Sequence, residues 1–175
     1  MPTSEELLPY LRQIDQDKWY SNFGPRLQSF EKRLARHFNV SQQQIVTVTS
    51  ATTGLSLALR AVLSEKTIST RKFTCLLPAW TFVATAQAVL EAGGEPIFCD
   101  VDPKSGGLTP ALVEEYLNKY PRPDVVMPVA PFGASVDVAE WDYLSDQHHL
   151  PVVIDAAASF CSLTPGRSPA VVSLH

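Results

Sequence analysis

Several features that would fix a function class outright are missing from this chain. The longest apolar stretches, around Leu76 to Trp80 and Val152 to Ala158, fall well short of the ~20 residues that cross a bilayer. There is no basic excess: 14 Lys+Arg stand against 18 Asp+Glu, a formal charge of -4, so the positive stripe that phosphate-backbone binding requires is absent and nucleic acid is not expected as a partner. Neither a Gly-Lys-Ser/Thr phosphate loop nor a Gly-x-Gly-x-x-Gly dinucleotide fingerprint occurs, which removes most of the support for a nucleotide-binding dehydrogenase. The 3 cysteines, Cys75, Cys99 and Cys161, are too few and too scattered for a disulfide framework or a metal cage and are expected as buried thiols. His148-His149 does not make a metal site either, since adjacent side chains diverge on a helix. The acidic opening Met-Pro-Thr-Ser-Glu-Glu lacks the cationic start and apolar core of a signal peptide, so the cytoplasm is the expected location.

Glycine is also scarce, at 8 residues against 14 prolines. Most prolines fall at predicted element ends, where a fixed φ terminates a helix or strand. At 175 residues the chain has about the length of one domain. With 45% hydrophobic and 18% charged residues it can bury a sizeable core.

Apolar periodicity switches repeatedly between helical spacing and short β-branched runs, the pattern of an α/β fold with buried parallel strands. An acidic first turn after Ser4 predicts a helix to about Asp17. Pro25 opens a second, expected to bury Leu27, Phe30, Leu34 and Phe38. Strands are predicted at Ile45 to Thr49, Phe73 to Leu77, Pro96 to Cys99, Val125 to Val129, Val152 to Asp155 and Ala170 to Leu174. Helices are predicted at Thr52 to Leu63, Thr81 to Ala92 with Gly93 as the stop, Pro110 to Lys119 after a Thr109 cap, and Val138 to His148.

In open α/β sheets ligands collect at the carboxyl ends of strands, and three such places stand out. Thr49-Ser50-Ala51-Thr52-Thr53-Gly54 is a small, hydroxylated turn entering a helix, suited to an anion such as phosphate, or simply a Ser/Thr cap. Val152-Val153-Ile154-Asp155 presents a carboxylate at the tip of an apolar strand, which is costly unless a cation pairs with it; an Asp capping the next turn is the alternative. Pro78-Ala79-Trp80-Thr81-Phe82 places aromatics at the head of a helix, for core packing or for stacking on a planar ring. Together an anion cradle, a carboxylate and a stacking face are what a pyridoxal phosphate ring requires.

The order of these motifs resembles the DegT/StrS-like sugar aminotransferases. The resemblance runs through Asn22-Phe23-Gly24-Pro25, Phe30-Glu31-Lys32, Ser50-Ala51-Thr52-Thr53-Gly54-Leu55, Pro78-Ala79-Trp80-Thr81-Phe82-Val83-Ala84-Thr85, Pro96-Ile97-Phe98-Cys99-Asp100-Val101-Asp102-Pro103, Phe132-Gly133 and Asp155-Ala156-Ala157. It implies a three-layer αβα large domain of fold type I with a mostly parallel sheet, residues 26–175, preceded by an N-terminal helix and active-site entrance segment at 1–25. It implies pyridoxal 5'-phosphate as cofactor, a nucleotide-linked keto-sugar and an amino donor such as glutamate as partners, and a homodimer.

Residue by residue, the resemblance implies that Ala51 and Thr52 offer backbone N–H groups to the cofactor phosphate and that Ser173 adds a hydroxyl. Phe82 stacks on the pyridine ring, Asp155 is the catalytic residue that pairs with the pyridinium nitrogen and keeps it protonated, and His175 faces substrate. Ala158 stands near the cofactor's phenolic oxygen, where the family usually has Gln. Ala130 and Phe132 replace the family's His and Tyr. Val172-Ser173-Leu174-His175 is similar to the start of the family's Ser-x-His-x-x-Lys, whose Schiff-base lysine would be the third residue beyond His175. Lys18, Lys32, Lys66, Lys72, Lys104 and Lys119 are expected at the surface, so the 175 residues alone are expected to be inactive. A sugar dehydratase on the same scaffold, with His for the lysine, and a non-catalytic binding or assembly protein are the rival readings.

Overall fold

The computed structural model describes residues 1–63 and 71–172. The expectation for Lys66 and that for the strand end at 173–174 lie outside the described residues. The chain divides into two units, Met1–Thr47 and Val48–His175.

The first unit is helical. Helix α1 (Ser4–Asp17) is capped by Thr3 rather than begun from Ser4: the Thr3 hydroxyl accepts from the Glu6 amide, and the Glu6 carboxylate accepts from the Thr3 amide at 2.8 Å, a reciprocal capping box. Helix α2 (Pro25–His37) starts at its proline as expected, but its expected burial is not found: Ala35 is its one buried residue, and Phe30 is exposed. The spacing of Leu27, Phe30 and Leu34 marks the apolar side of a helix without specifying what covers it. A single 3-10 turn follows at Gln42–Gln44. The predicted strand Ile45 to Thr49 is a correction. Ile45 is extended (φ -106, ψ 125), yet the segment pairs with no strand among the described residues. Alternating β-branched residues supply the extended backbone, but a strand also needs a ladder partner.

The second unit alternates helix and strand in the order α3 (Ala51–Val62), β1 (Thr74–Pro78), α4 (Val83–Glu91), β2 (Glu95–Cys99), α5 (Pro110–Lys119), β3 (Val125–Val126), α6 (Val138–His148), β4 (Ile154–Asp155) and β5 (Ala170–Val171). All strand pairs are parallel, in the orders β2-β1-β3 and β4-β5. Parallel bridges Val126↔Val152 and Val129↔Asp155 join the two groups into one continuous surface.

The layering follows from the period of two along each strand. Cys75, Leu77, Val125, Met127 and Val153 point to one face, where they pack with Leu55 and Leu59 of α3 and Ala88 and Val89 of α4. The intervening Leu76, Val126, Val152 and Ile154 point to the other, against Val113 of α5 and Trp141 and Leu144 of α6. Helices on both faces of a parallel sheet make the predicted three-layer αβα architecture.

Helices α5 and α6 occupy the predicted residues because their caps are explicit. Thr109 accepts from the Leu112 amide and Asp137 from the Ala139 amide. Gly93, at φ +92, takes the left-handed position after α4. Cys75 is buried, as expected of the thiols, whereas Cys99 is half-buried and Cys161 is exposed; all three are free of disulfides. Apolar neighbours in sequence predict burial on a strand, whereas Cys161 sits in a run of turns. Lys18, Lys32, Lys72, Lys104 and Lys119 are exposed, as expected. No described helix is long and apolar enough to cross a membrane.

Two half-buried carboxylates, Asp124 before β3 and Asp142 on α6, fasten the segments that lead into β1 and β5. Burial works against the ionised form of Asp124, but Arg71 donates to both its oxygens, at 2.8 and 2.5 Å, and the Thr74 amide adds a bond at 2.7 Å. The net effect holds its carboxyl below the usual range. Asp142 is likewise held low, against burial, by the Arg167 amide and by the amide and hydroxyl of Ser168.

Gly94 permits a close approach, since a Cβ there would lie 2.4 Å from the Phe73 ring. Phe73 is fully buried in the α3–α4 side of the core, so it has no free direction in which to yield. Gly94→Ala is expected to destabilise the fold by about 1–3 kcal/mol, measured as a lower denaturation midpoint with an unchanged slope.

Candidate active site

Asp155 is the C-terminal residue of β4, and its backbone is gripped from both sides. Its N–H donates to the Pro128 carbonyl and its C=O accepts from the Ala130 amide, each at 2.9 Å, while the next amide, Ala156, donates to the Val171 carbonyl at 2.9 Å. Because Val153 faces α3 and α4 and Ile154 faces α5 and α6, the period of two sends the Asp155 side chain toward α3 and α4. There its Oδ2 accepts from the Thr85 hydroxyl at 2.7 Å, and its Oδ1 accepts from the Ala157 amide at 3.2 Å.

Asp155 is 6% exposed and is the one buried acid among the described residues. No described cation pairs with it. Burial raises its carboxyl above the ordinary range, against the opposing hydrogen bonds from Thr85 and Ala157. Charge in a low-dielectric site without a counter-charge is what desolvation penalises most.

Phe82 reaches the same place by a short route. Pro78 ends β1, and the Ala79 amide bonds the Cys99 carbonyl at 2.8 Å, turning the chain toward α4. Phe82 is the N-cap of α4, its carbonyl accepting from the Thr85 amide at 3.1 Å. The hydroxyl of that same Thr85 holds Asp155, so acid and aromatic are linked through one residue. The Phe82 ring is 77% exposed. It is not a core residue and is free to meet a planar partner.

The hydroxylated turn lies beyond β5. Ser50 caps α3 by accepting from the Thr53 amide at 3.1 Å, with the Thr53 hydroxyl at 3.0 Å from its own. Ala51 and Thr52, both half-buried, form the first turn, whose N–H groups have no acceptor within the helix. Gly54 lets this turn close on the sheet: a Cβ there would lie 3.0 Å from Val171 and 3.2 Å from Val48. Val171 is in turn the register partner of Asp155. Turn, acid and aromatic therefore border one carboxyl edge of the sheet.

Around this edge, the segment 131–135 is fastened to the turns after β4. The Ser159 hydroxyl donates to the Ala134 carbonyl at 3.2 Å and the Ser162 hydroxyl to the Gly133 carbonyl at 2.9 Å. Gly133 is required here: at φ +83 its Cβ would lie 2.9 Å from the Ala158 carbonyl oxygen. Ala158 itself is exposed. Ala130 is buried, so its methyl occupies core rather than site. Phe132 is left-handed (φ 53, ψ 27) and 88% exposed, with its ring 6.4 Å from that of Trp80. Ser173 and His175 lie outside the described residues. A surface groove of about 540 Å3 between α5 and α6, lined by Thr109, Glu114, Ala139 and Tyr143, includes none of these residues.

Sequence reasoning missed Thr85. The available signal was the stripe 85, 88, 89, 92 on one face of α4: Thr85, Ala88, Val89 and Ala92 are all buried, and Thr85 is its single polar member.

A parallel αβα sheet with a strand-tip acid facing a helix head is the arrangement of the large domain of fold-type-I pyridoxal-phosphate-dependent transferases. The chain belongs to the DegT/DnrJ/EryC1/StrS aminotransferase family, whose sequence profile matches residues 2–170. It is 30% identical over 161 residues to the Escherichia coli dTDP-4-amino-4,6-dideoxy-D-glucose transaminase, covering 91% of this chain and 40% of that protein. Among solved structures it resembles NtdA from Bacillus subtilis with bound cofactor PMP (TM-score 0.74, 26% identity, 91% of this chain and 34% of that one). It also resembles DesI in the presence of its TDP-sugar product (TM-score 0.74, 28% identity, 91% and 38%). The chain thus spans about 40% of the length of the curated relatives it matches.

The charge on Asp155 has a stability consequence whose sign is fixed. Its folded pKa is raised, so the folded form binds its proton more tightly than the unfolded chain does. The favourable contribution is present below the unfolded pKa and is lost as pH rises through the folded one. Asp155→Asn should therefore raise the thermal midpoint of the cofactor-free protein at pH 7, with the gain vanishing in acid, as followed by circular dichroism melts across pH.

Proposed function

We propose that the protein is a pyridoxal-phosphate-dependent aminotransferase acting on nucleotide-linked keto-sugars, and that this chain provides the cofactor-binding floor of its site. The observation that carries the reading is Asp155, a buried acid with two neutral donors and no cation among the described residues. A protonated ring nitrogen is a partner of the right charge and size, and the residues present fit the group.

In this reading Asp155 accepts the N–H of the ring nitrogen and keeps the proton on that atom. The first-turn amides of Ala51 and Thr52 bind the phosphate, helped by the positive end of α3, and the Ser173 hydroxyl joins them. Phe82 covers one face of the ring and excludes water from it. Ala158 leaves room beside the phenolic oxygen, and His175 borders the substrate. When bound, the cofactor supplies an electron sink for negative charge at the carbon that loses its proton. None of the described lysines lies at Asp155, so the amine that would anchor the cofactor is not among the described residues.

The sugar substrate and its nucleotide are supported by the relatives' named activities, glutamate as donor and the homodimer by the family resemblance. Exposed Trp80, Phe82, Phe98 and Phe132 offer the apolar surface that a second copy or a substrate would cover.

Calorimetric titration with pyridoxal phosphate tests the reading. Wild-type protein should bind, and Asp155→Ala should weaken binding by about tenfold or more, whereas Asp124→Asn, remote from the edge, should bind as wild type does if it folds. Absence of binding to either pyridoxal phosphate or a dTDP-sugar by folded wild-type protein would favour the non-catalytic reading instead.

A further inference from the structure

We propose that Thr85, backed by Thr81, is the positioning residue for Asp155: a chain of two hydroxyls that fixes the carboxylate so that a cationic ring partner meets it in one orientation. The role rests on the cofactor reading above.

The geometry is directional. The Thr85 Oγ1 lies 2.7 Å from Asp155 Oδ2 and 2.6 Å from Thr81 Oγ1. A hydroxyl has one proton, and an ionised carboxylate can only accept. With Asp155 charged, Thr85 must donate to it and accept from Thr81, so Thr81 donates to Thr85 rather than to the more distant Phe82 carbonyl at 3.4 Å. Protonation of Asp155 would free both hydroxyl protons to turn round. The chain's polarity is thus set by the charge of the acid, and each bond strengthens the other.

A threonine inside a helix ordinarily returns its hydroxyl to a carbonyl three or four residues back. Thr85 instead spends its proton across the helix–sheet interface, from a position that is 1% exposed and otherwise belongs to an apolar stripe. Alanine or valine would fill that place without desolvating a hydroxyl. Among the described residues nothing else aims Oδ2. Around the carboxylate, α4 presents Thr85, β5 presents Val171 and the following turn presents the Ala157 amide. On the β3 side stand the backbones of Pro128 and Ala130. None of these is titratable or charged. The second donor, Ala157, holds only Oδ1, and at the longer distance of 3.2 Å.

The test uses the full chain with Thr85→Val, Thr85→Ser and Thr81→Ala, and two readouts. The first is the titration midpoint of the Asp155 carboxyl carbon by NMR in the cofactor-free protein; the second is the affinity for pyridoxal phosphate by calorimetry. Thr85→Val removes the bond that favours the ionised acid, so the midpoint should move up and the affinity should fall by about tenfold. Thr85→Ser should restore both, and Thr81→Ala should shift both in the same direction but less. If wild-type protein binds and Thr85→Val leaves midpoint and affinity unchanged, the positioning role is overturned while the cofactor reading stands. If folded wild-type protein does not bind pyridoxal phosphate, the cofactor reading itself falls, and this role with it. Should Thr85→Val fail to fold, Thr81→Ala decides: unchanged midpoint and affinity in that variant overturn the chain of hydroxyls.

Discussion

A carboxylate taken out of water without a counter-charge among the described residues is the constraint around which the second unit is organised. The contrast with the other well-bonded acids is direct. Asp124 is met by the Arg71 guanidinium and Asp142 by Arg167, and both are held below the usual carboxylate range. Asp155 is more deeply buried than either, has only a hydroxyl and an amide among the described residues, and is pushed up. The first two acids fasten loops and need nothing further. The third is left with an electrostatic demand that the described residues do not satisfy.

That demand is tolerable only because the backbone beneath it cannot relax. Ladder bonds hold Asp155 from the β3 side and its neighbour Ala156 from the β5 side, so the side chain cannot swing to solvent by moving the strand. The same fastening recurs one strand over, where the hydroxyls of Ser159 and Ser162 hold the carbonyls of Ala134 and Gly133 and Phe132 keeps a left-handed backbone. A bulky residue in that conformation costs free energy unless its surroundings over-determine it. Polar side chains at this edge are therefore used to fix backbone, and the aromatic rings of Trp80, Phe82 and Phe132 are left facing outward.

Much of this was legible in the residues because local signals and packing agree. Helices α5 and α6 begin at Thr109 and Asp137, residues whose side chains cap and whose neighbours start an amphipathic repeat. Asp155 could be singled out because an acid ending Val-Val-Ile conflicts with its strand. Three things were not legible, each for a physical reason. Pairing of Ile45 to Thr49 depends on a partner strand, which composition does not encode. Exposure of Phe30 and Cys161 depends on what covers them in three dimensions. Thr85 was hidden because one threonine among Val-Ala-Thr-Ala reads as helix filler until the facing strand shows that its hydroxyl has an acidic partner.

The choice of a neutral residue at position 85 is itself informative. A lysine or arginine reaching Asp155 from α4 would have neutralised the buried acid, as Arg71 does for Asp124, and the apo fold would gain. It would also consume the negative charge. A hydroxyl orients the carboxylate without cancelling it, so the unfavourable energy of the free state is retained and is relieved when a cation arrives. By linkage, a ligand that binds only the folded form stabilises it in proportion to its affinity, and part of that affinity is the desolvation cost already met during folding. On the proposed cofactor reading, a preorganised, under-compensated acid is thus the form in which this fold would store selectivity for a positively charged planar ring over a neutral one, with Thr85 keeping the acid aimed and available.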